Sequence, residues 1–236
     1  MSKSRLFKWR HFVPAIIIRC VRWYCRYSLS YREVEELAQE RGLSVAHSSI
    51  YRWVQAYSPQ LDKRCRRHLR LTSDSWRVDE VYVKVKGKGR WLYRAVDKYG
   101  DTLDFLLTAK RDAQAAKRFF RKTLNARHSQ TPRVINADKH KAYPPAFAAL
   151  QEDKMLPQST ELRQNKYLNN VIEQDHRFLQ RLIKPGMGFK SFNTARRTIK
   201  GYEAMHMLRK GQVIGVPKGD VLAPLNFMAQ VLGVAA

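Results

Sequence analysis

An α/β sheet domain preceded by a small all-helical domain is the fold class that three observations in the sequence predict. The first is the run from Trp76 to Lys86. There Val81, Val83 and Val85 alternate with Tyr82, Lys84 and Lys86, at the period of two that marks a half-buried strand. The second is a succession of further short strand-like runs, then a helical stretch, then the apolar run Val134-Ile135. The third is helical spacing with a capping box in the first 58 residues. At 236 residues the chain can hold one medium domain and a small one.

Charge narrows the partner. Forty-five Lys and Arg stand against twenty Asp and Glu, a formal charge of +25. The excess is not a tail, because residues 1–70 alone carry 15 basic and 5 acidic residues. Both parts are cationic in their own right, so a polyanion such as nucleic acid is the expected partner. Cys20, Cys25 and Cys65 are an odd number without paired spacing, which suits reduced thiols and neither a disulfide framework nor a zinc site. The apolar run from Phe12 to Ile18 holds Pro14 and is far too short for a membrane span. A cytoplasmic protein with no membrane partner is expected.

Taken in order, residues 1–10 read as a basic, aromatic arm or a helix opening. From Pro14, Ile17, Val21 and Tyr24 recur at helical spacing and predict a first helix that ends before Leu29. Ser30 with Glu33 forms a capping box for a short helix faced by Val34, Leu37 and Ala38, closed by Gly42. A further helix starts near Ser48, with Ile50, Trp53 and Val54 inward. Helix, glycine turn, helix is the helix-turn-helix pattern. Its expected DNA contacts are His47, Ser48, Ser49 and Arg52, although an ordinary helical hairpin shares the spacing. Pro59 is expected to break that helix and open a basic linker, residues 59–74, with Lys63, Arg64, Arg66 and Arg67 against phosphates.

The second domain, 75–212, reads as strands over 76–86, 90–97 and 103–108, a helix over 112–125, a strand over 132–137 and a helix over 143–151. Gly87-Lys88-Gly89 and Tyr99-Gly100-Asp101 are the expected turns. An irregular polar stretch follows, then a helix from about Asn169 to Ile183. Three antiparallel strands, a crossover helix and a fourth strand is the order of a ribonuclease H-like fold. Lys184 to Lys190 reads as a flexible cationic loop, Thr194 to Lys210 as a helix, and 213–236 as a C-terminal tail.

Three carboxylates stand out in this arrangement. Asp79 shares the strand face of Val81, Val83 and Val85, where an unpaired charge is costly. Asp138 follows the fourth strand, at the end where α/β folds place ligands. Glu173 lies on the later helix, with 34 residues (139–172) between it and Asp138. Singly, each has an ordinary role: Glu173 can pair with Arg177, Asp138 can serve a turn, and Glu80 can be the inward residue in place of Asp79. Together they suit Mg2+ or Mn2+, two ions of which can serve an in-line phosphoryl transfer.

At this point the sequence resembles the IS-six (IS240-like) family of bacterial DDE insertion-sequence transposases, over almost its whole length. The resemblance rests on Tyr31-Arg32-Glu33, Ser49-Ile50-Tyr51-Arg52-Trp53-Val54-Gln55, Val78-Asp79-Glu80-Val81-Tyr82-Val83-Lys84, Tyr93-Arg94-Ala95-Val96-Asp97 and Asn136-Ala137-Asp138-Lys139. Tyr167-Leu168-Asn169-Asn170-Val171-Ile172-Glu173-Gln174-Asp175-His176, Gly188-Phe189-Lys190-Ser191 and Thr198-Ile199-Lys200-Gly201 extend it. It implies a ribonuclease H-like, retroviral-integrase-like catalytic domain with Asp79, Asp138 and Glu173 as catalytic metal ligands. It also implies binding of terminal inverted repeats, cleavage at 3′ ends, strand transfer into target DNA, and at least a homodimer, acting at the bacterial nucleoid. Lys139, Arg177, Arg181 and Lys190 are the expected DNA contacts of this part. Family members often have Thr at Ala137 and Lys or Arg at Gln180; Arg181 is one position on, turned by about 100°. A transcriptional regulator with an inactive second domain, or a nuclease that never joins, would share the charge.

Overall fold

The computed structural model describes residues 5–165, 169–184 and 188–234. They form two compact units, one of Arg70–Arg177 and one of Met1–Leu69 with Phe178–Ala236. Residues 185–187, inside the expected cationic loop, and 166–168, which include Tyr167 and Leu168 of the family motif, lie outside the described residues.

The helical unit opens with α1 (Pro14–Arg26), α2 (Tyr31–Gln39) and α3 (His47–Cys65). The capping box of α2 is present: the Glu33 N–H donates to Ser30 Oγ, and the Glu33 carboxylate accepts from the Ser30 N–H. The expected break at Pro59 is corrected, because α3 continues through it for six more residues. Proline costs about 3 kcal/mol in a helix interior. Buried Tyr57, Ser58, Leu61, Asp62 and Cys65 on either side of it keep the helix in place.

The sheet unit holds β1 (Ser75–Val85), β2 (Lys88–Asp97), β3 (Thr102–Thr108), α4 (Ala113–Leu124), β4 (Val134–Ala137), α5 (Tyr143–Glu152) and β5 (Glu161–Gln164). Its order is β3-β2-β1-β4-β5, with β2 antiparallel to both neighbours and β1, β4 and β5 mutually parallel. This is the ribonuclease H-like α/β arrangement. The first hairpin turn is Lys86-Gly87, with both φ positive, and Lys88 already pairs with Val85. The turn thus lies one residue before the expected one; two positive φ values match the twist of a two-residue hairpin. At the second turn, buried Asp97 accepts the N–H groups of Tyr99 and Asp101 at 2.9 Å each. β5 stands in the stretch expected to be irregular. It is a four-residue edge strand without an apolar run, so its signal was absent.

One sheet face carries the core, where Trp76, Val78, Tyr93, Leu103 and Ile135 pack with Phe119, Phe120, Tyr143 and Phe147 of α4 and α5. Trp76, Val78 and Glu80 alternate toward that face, and Asp79, Val81 and Val83 toward the other. The chain then runs through α6 (Asn170–Ile183), which leads back to the helical unit, α7 (Phe192–Arg209) and α8 (Ala223–Leu232). Gly201 of α7 has no room for a Cβ, which would collide with Cys25 and Ser58. The expected tail is corrected over α8, which buries Phe227, Met228 and Leu232. No described helix is long and apolar enough to cross a membrane.

Candidate active site

The register of one strand pair builds the site. β4 pairs with β1 in parallel, from Ser75 beside Val134 to Val78 beside Ala137. The next residue on each strand is an aspartate, Asp79 and Asp138, so the end of this ladder sets two carboxylates side by side. An oxygen from each lies with one from Glu80 in a group whose members are all within 4.8 Å of one another. Glu173, in the first turn of α6, does not join that group. It lines the same cleft, together with Asp79, Asp138, Lys139, His140, Asn165 and Asn169. The cleft therefore gathers all three expected carboxylates, and places Glu80 closer to two of them than the sequence suggested.

Neighbouring groups fix the carboxylates. Asp79 Oδ1 accepts from the Glu80 N–H at 2.8 Å, and Asp138 Oδ1 from the His140 N–H at 3.0 Å. Asn169 reaches from the head of α6 to the Val78 carbonyl at 3.4 Å. Behind them the buried Arg94, cross-strand partner of Asp79, holds Asp175 of α6 at 2.7 Å. That ion pair ties the first turns of α6 to the sheet.

Electrostatics single out Asp79. Burial, with the charges of Glu80, Asp138 and Glu173 added to it, pushes the Asp79 carboxyl up to about 7, although the Glu80 N–H opposes the shift. His176 Nδ1 lies 3.7 Å from Asp79, and burial together with Arg94 lowers this imidazole to about 3. It is therefore neutral at physiological pH and offers Asp79 no charge. One oxygen of Glu80, Oε1, is buried without a hydrogen-bond partner. Hard oxygen donors gathered on one cleft and a carboxyl held against ionisation fit a divalent cation that favours oxygen ligands.

The expected DNA contacts fall into two groups. His47, Ser48, Arg52, Lys63, Arg67, Lys139, Arg177, Arg181 and Lys190 are exposed, and Ser49 is partly so. Arg64 and Arg66 are partly buried and have partners within the chain: Arg64 donates to the Val231 carbonyl of α8 at 2.6 Å, and Arg66 pairs with Asp62 at 2.9 Å. His47 Nδ1 is 2.9 Å from Glu35. Within the helical unit, His47, Ser48 and Lys190 line one groove with Tyr31, Tyr51 and Phe189. The three cysteines are buried free thiols, as expected, with Cys25 and Cys65 each pushed up to about 12 by burial.

Sequence reading gave no role to Arg111, which proves central. Its Nη2 lies 2.9 Å from both Glu80 Oε2 and Asp138 Oδ2, and its guanidinium stacks 5.0 Å from the Trp91 ring centroid. The only signal was a basic residue just before Asp112, the N-cap of α4. His140 and Asn165 were likewise given no role, and Asn169 was read only as the start of a helix within a family motif.

A carboxylate cleft at the end of a ribonuclease H-like parallel ladder is the setting of a polynucleotidyl transferase of the DDE type, and the family comparison agrees. The IS240-type family model described as a DDE domain matches residues 73–212. The chain belongs to the IS-six family of DDE insertion-sequence transposases. It is 37% identical over 204 residues to the transposase for insertion sequence-like element IS431mec of Staphylococcus aureus, covering 86% of this chain and 88% of that protein. The same identity and coverage hold for the Staphylococcus aureus transposase of IS257 in transposon Tn4003. Among solved structures, the HTLV-2 integrase catalytic core domain in complex with magnesium matches with a TM-score of 0.45 and 14% identity, over 63% of this chain and 94% of that one.

Proposed function

We propose that this transposase binds the terminal inverted repeats of its element through the helix-turn-helix region, residues 1–58, and cleaves and joins DNA through residues 75–212, with 59–74 as a basic connection. Asp79, Asp138 and Glu173 would hold two Mg2+ or Mn2+ ions. When bound, such ions stabilise charge on the attacking and leaving oxygens of an in-line displacement at phosphorus. In the first step a water oxygen bonds to phosphorus as the bond to the 3′ oxygen breaks, leaving a 3′-hydroxyl at the element end. In the second, that hydroxyl attacks a target phosphodiester and releases a new 3′-hydroxyl. The chain's own groups set the geometry: the β1–β4 register holds two carboxylates together, and Arg94 with Asn169 fixes the helix that carries the third. Lys139 is exposed on the cleft wall, where a phosphate of bound DNA would meet it. His176, kept neutral, leaves Asp79 free to serve the cation. Two ends must meet, so a homodimer or larger assembly is part of the proposal.

The observation that carries this reading is Asp79 beside Asp138 at the end of the parallel ladder, with Glu173 on the same cleft. The test is to incubate the full chain with a pre-cut element-end duplex, supercoiled plasmid and Mg2+, beside Asp138→Asn. Joined product from the parent alone is expected. Equal joining by Asp138→Asn would overturn the assignment, binding without strand chemistry would favour a regulator, and nicking without joining a nuclease.

A further inference from the structure

A fourth carboxylate stands within 4.8 Å of two of the three that line the cleft. The fourth, Glu80, is the most enclosed: its side chain has no exposure, against 21% for Asp79 and 33% for Asp138. A buried carboxylate is costly unless a cation faces it. That cation is Arg111. One terminal nitrogen, Nη2, carries two hydrogens and lies 2.9 Å from Glu80 Oε2 and 2.9 Å from Asp138 Oδ2.

We propose that Arg111 is the positioning residue of Asp138, and that Glu80 is the buried anchor of Arg111 and not a ligand of the ion.

The fold gives Arg111 little freedom. It sits in the short connection between β3 and α4, next to Asp112, whose carboxylate caps the helix by accepting from the Ala115 N–H at 2.8 Å. On the strand side, Thr108 Oγ1 donates to the Lys110 carbonyl at 2.8 Å. The guanidinium then lies against Trp91 of β2, and Glu80 takes one hydrogen of Nη2 from the core side of the sheet. The remaining hydrogen points to Asp138. With the His140 N–H on Oδ1 and Arg111 on Oδ2, the Asp138 carboxylate is gripped at both oxygens, each of which can accept one further contact, and Asp138 lines the cleft. Glu80 occupies the opposite sheet face from Asp79, where the buried Tyr93 and Tyr143 hydroxyls feel its charge. It is placed to hold a side chain, and its own charge is the reason Arg111 cannot leave without cost. Groups that orient a ligating carboxylate in this way typically change metal affinity or activity by about 10–100-fold when removed.

The inference rests on the reading of Asp138 as a catalytic carboxylate. Arg111→Gln, Arg111→Lys, Glu80→Gln and the double variant Glu80→Gln/Arg111→Gln would be compared with the parent as full chains, by Mn2+ titration, thermal melting in chelator, and joining of a pre-cut end duplex. Arg111→Gln should lower joining at saturating Mn2+ about 10–100-fold with KM for the duplex within about threefold, and should lower the melting temperature. Arg111→Lys should recover part of the joining. Glu80→Gln should bind Mn2+ within about threefold of the parent, because it removes no ligand. The double variant should melt above Arg111→Gln, since no buried charge is left unpaired, without regaining joining. Mn2+ affinity weakened more than about tenfold in Glu80→Gln would make Glu80 a ligand and overturn the proposal. So would parental joining by Arg111→Gln, or a raised KM with kcat intact, which would mark a DNA contact. If Asp138→Asn joins normally, the reading of the site itself has failed; if Asp138→Asn is inactive and Arg111→Gln is not, only the positioning role has.

Discussion

Asp79→Asn should make the metal-free protein more stable, and only above mildly acidic pH. Asp79 is only about one-fifth exposed and is pushed up from 3.8 to about 7, first by burial and then by its carboxylate neighbours. Folding therefore raises its proton affinity. Between about pH 4 and 7 the native state holds more proton than the unfolded chain, so stability falls as pH rises through that window. The contribution is most favourable below 3.8 and is fully lost above about 7. A shift of about three units corresponds to about 4 kcal/mol at pH 8, at 1.36 kcal/mol per unit, and is an upper bound for a group that keeps some solvent. Asparagine keeps the shape and the oxygen that accepts the Glu80 N–H, and removes the charge. Urea denaturation in chelator at pH 4.5 and 8.0 would read the difference. The variant should gain up to about 4 kcal/mol at pH 8.0 and less than about 1 at pH 4.5. Added Mn2+ should then stabilise the parent more than the variant. A variant no more stable than the parent at pH 8.0 in chelator would refute the account of a charge held out of water.

Two further outcomes test the scaffold. Asp97→Ala removes the buried carboxylate that accepts the N–H groups of Ser73, Tyr99 and Asp101, and should cost about 3–5 kcal/mol in urea unfolding, with a loss below about 1 counting against that role. Gly201→Ala forces a methyl group against Cys25 and Ser58 and should lower stability by about 1–3 kcal/mol; an unchanged melting curve would mean that α3 and α7 yield at little cost.

Where the sequence carried a strong local pattern, the structure follows it. The valine alternation gives β1 within a residue of its expected ends, and the Ser30–Glu33 box starts α2 where it stands. Signals that depend on a partner were misread. Pro59 argues for a break in any isolated helix, but the buried residues around it hold α3 straight through. β5 has no apolar run because an edge strand buries little, and α8 read as a tail because its few apolar residues gain meaning only from the surface they cover.

The candidate site divides the same way. By itself the sequence determined that the chain is a cationic DNA-class protein, that its second part is a ribonuclease H-like sheet, and that Asp79, Asp138 and Glu173 sit at elements able to converge. Their residue types and their places after strands are local facts, and the family motifs repeat them. Only the tertiary structure decided that Asp79 and Asp138 end one parallel ladder side by side, that Glu80 turns into the core and not toward solvent, and that Arg111, 31 positions away, bridges Glu80 to Asp138. Charge pairing across such a distance depends on register and burial, which no period in the sequence encodes.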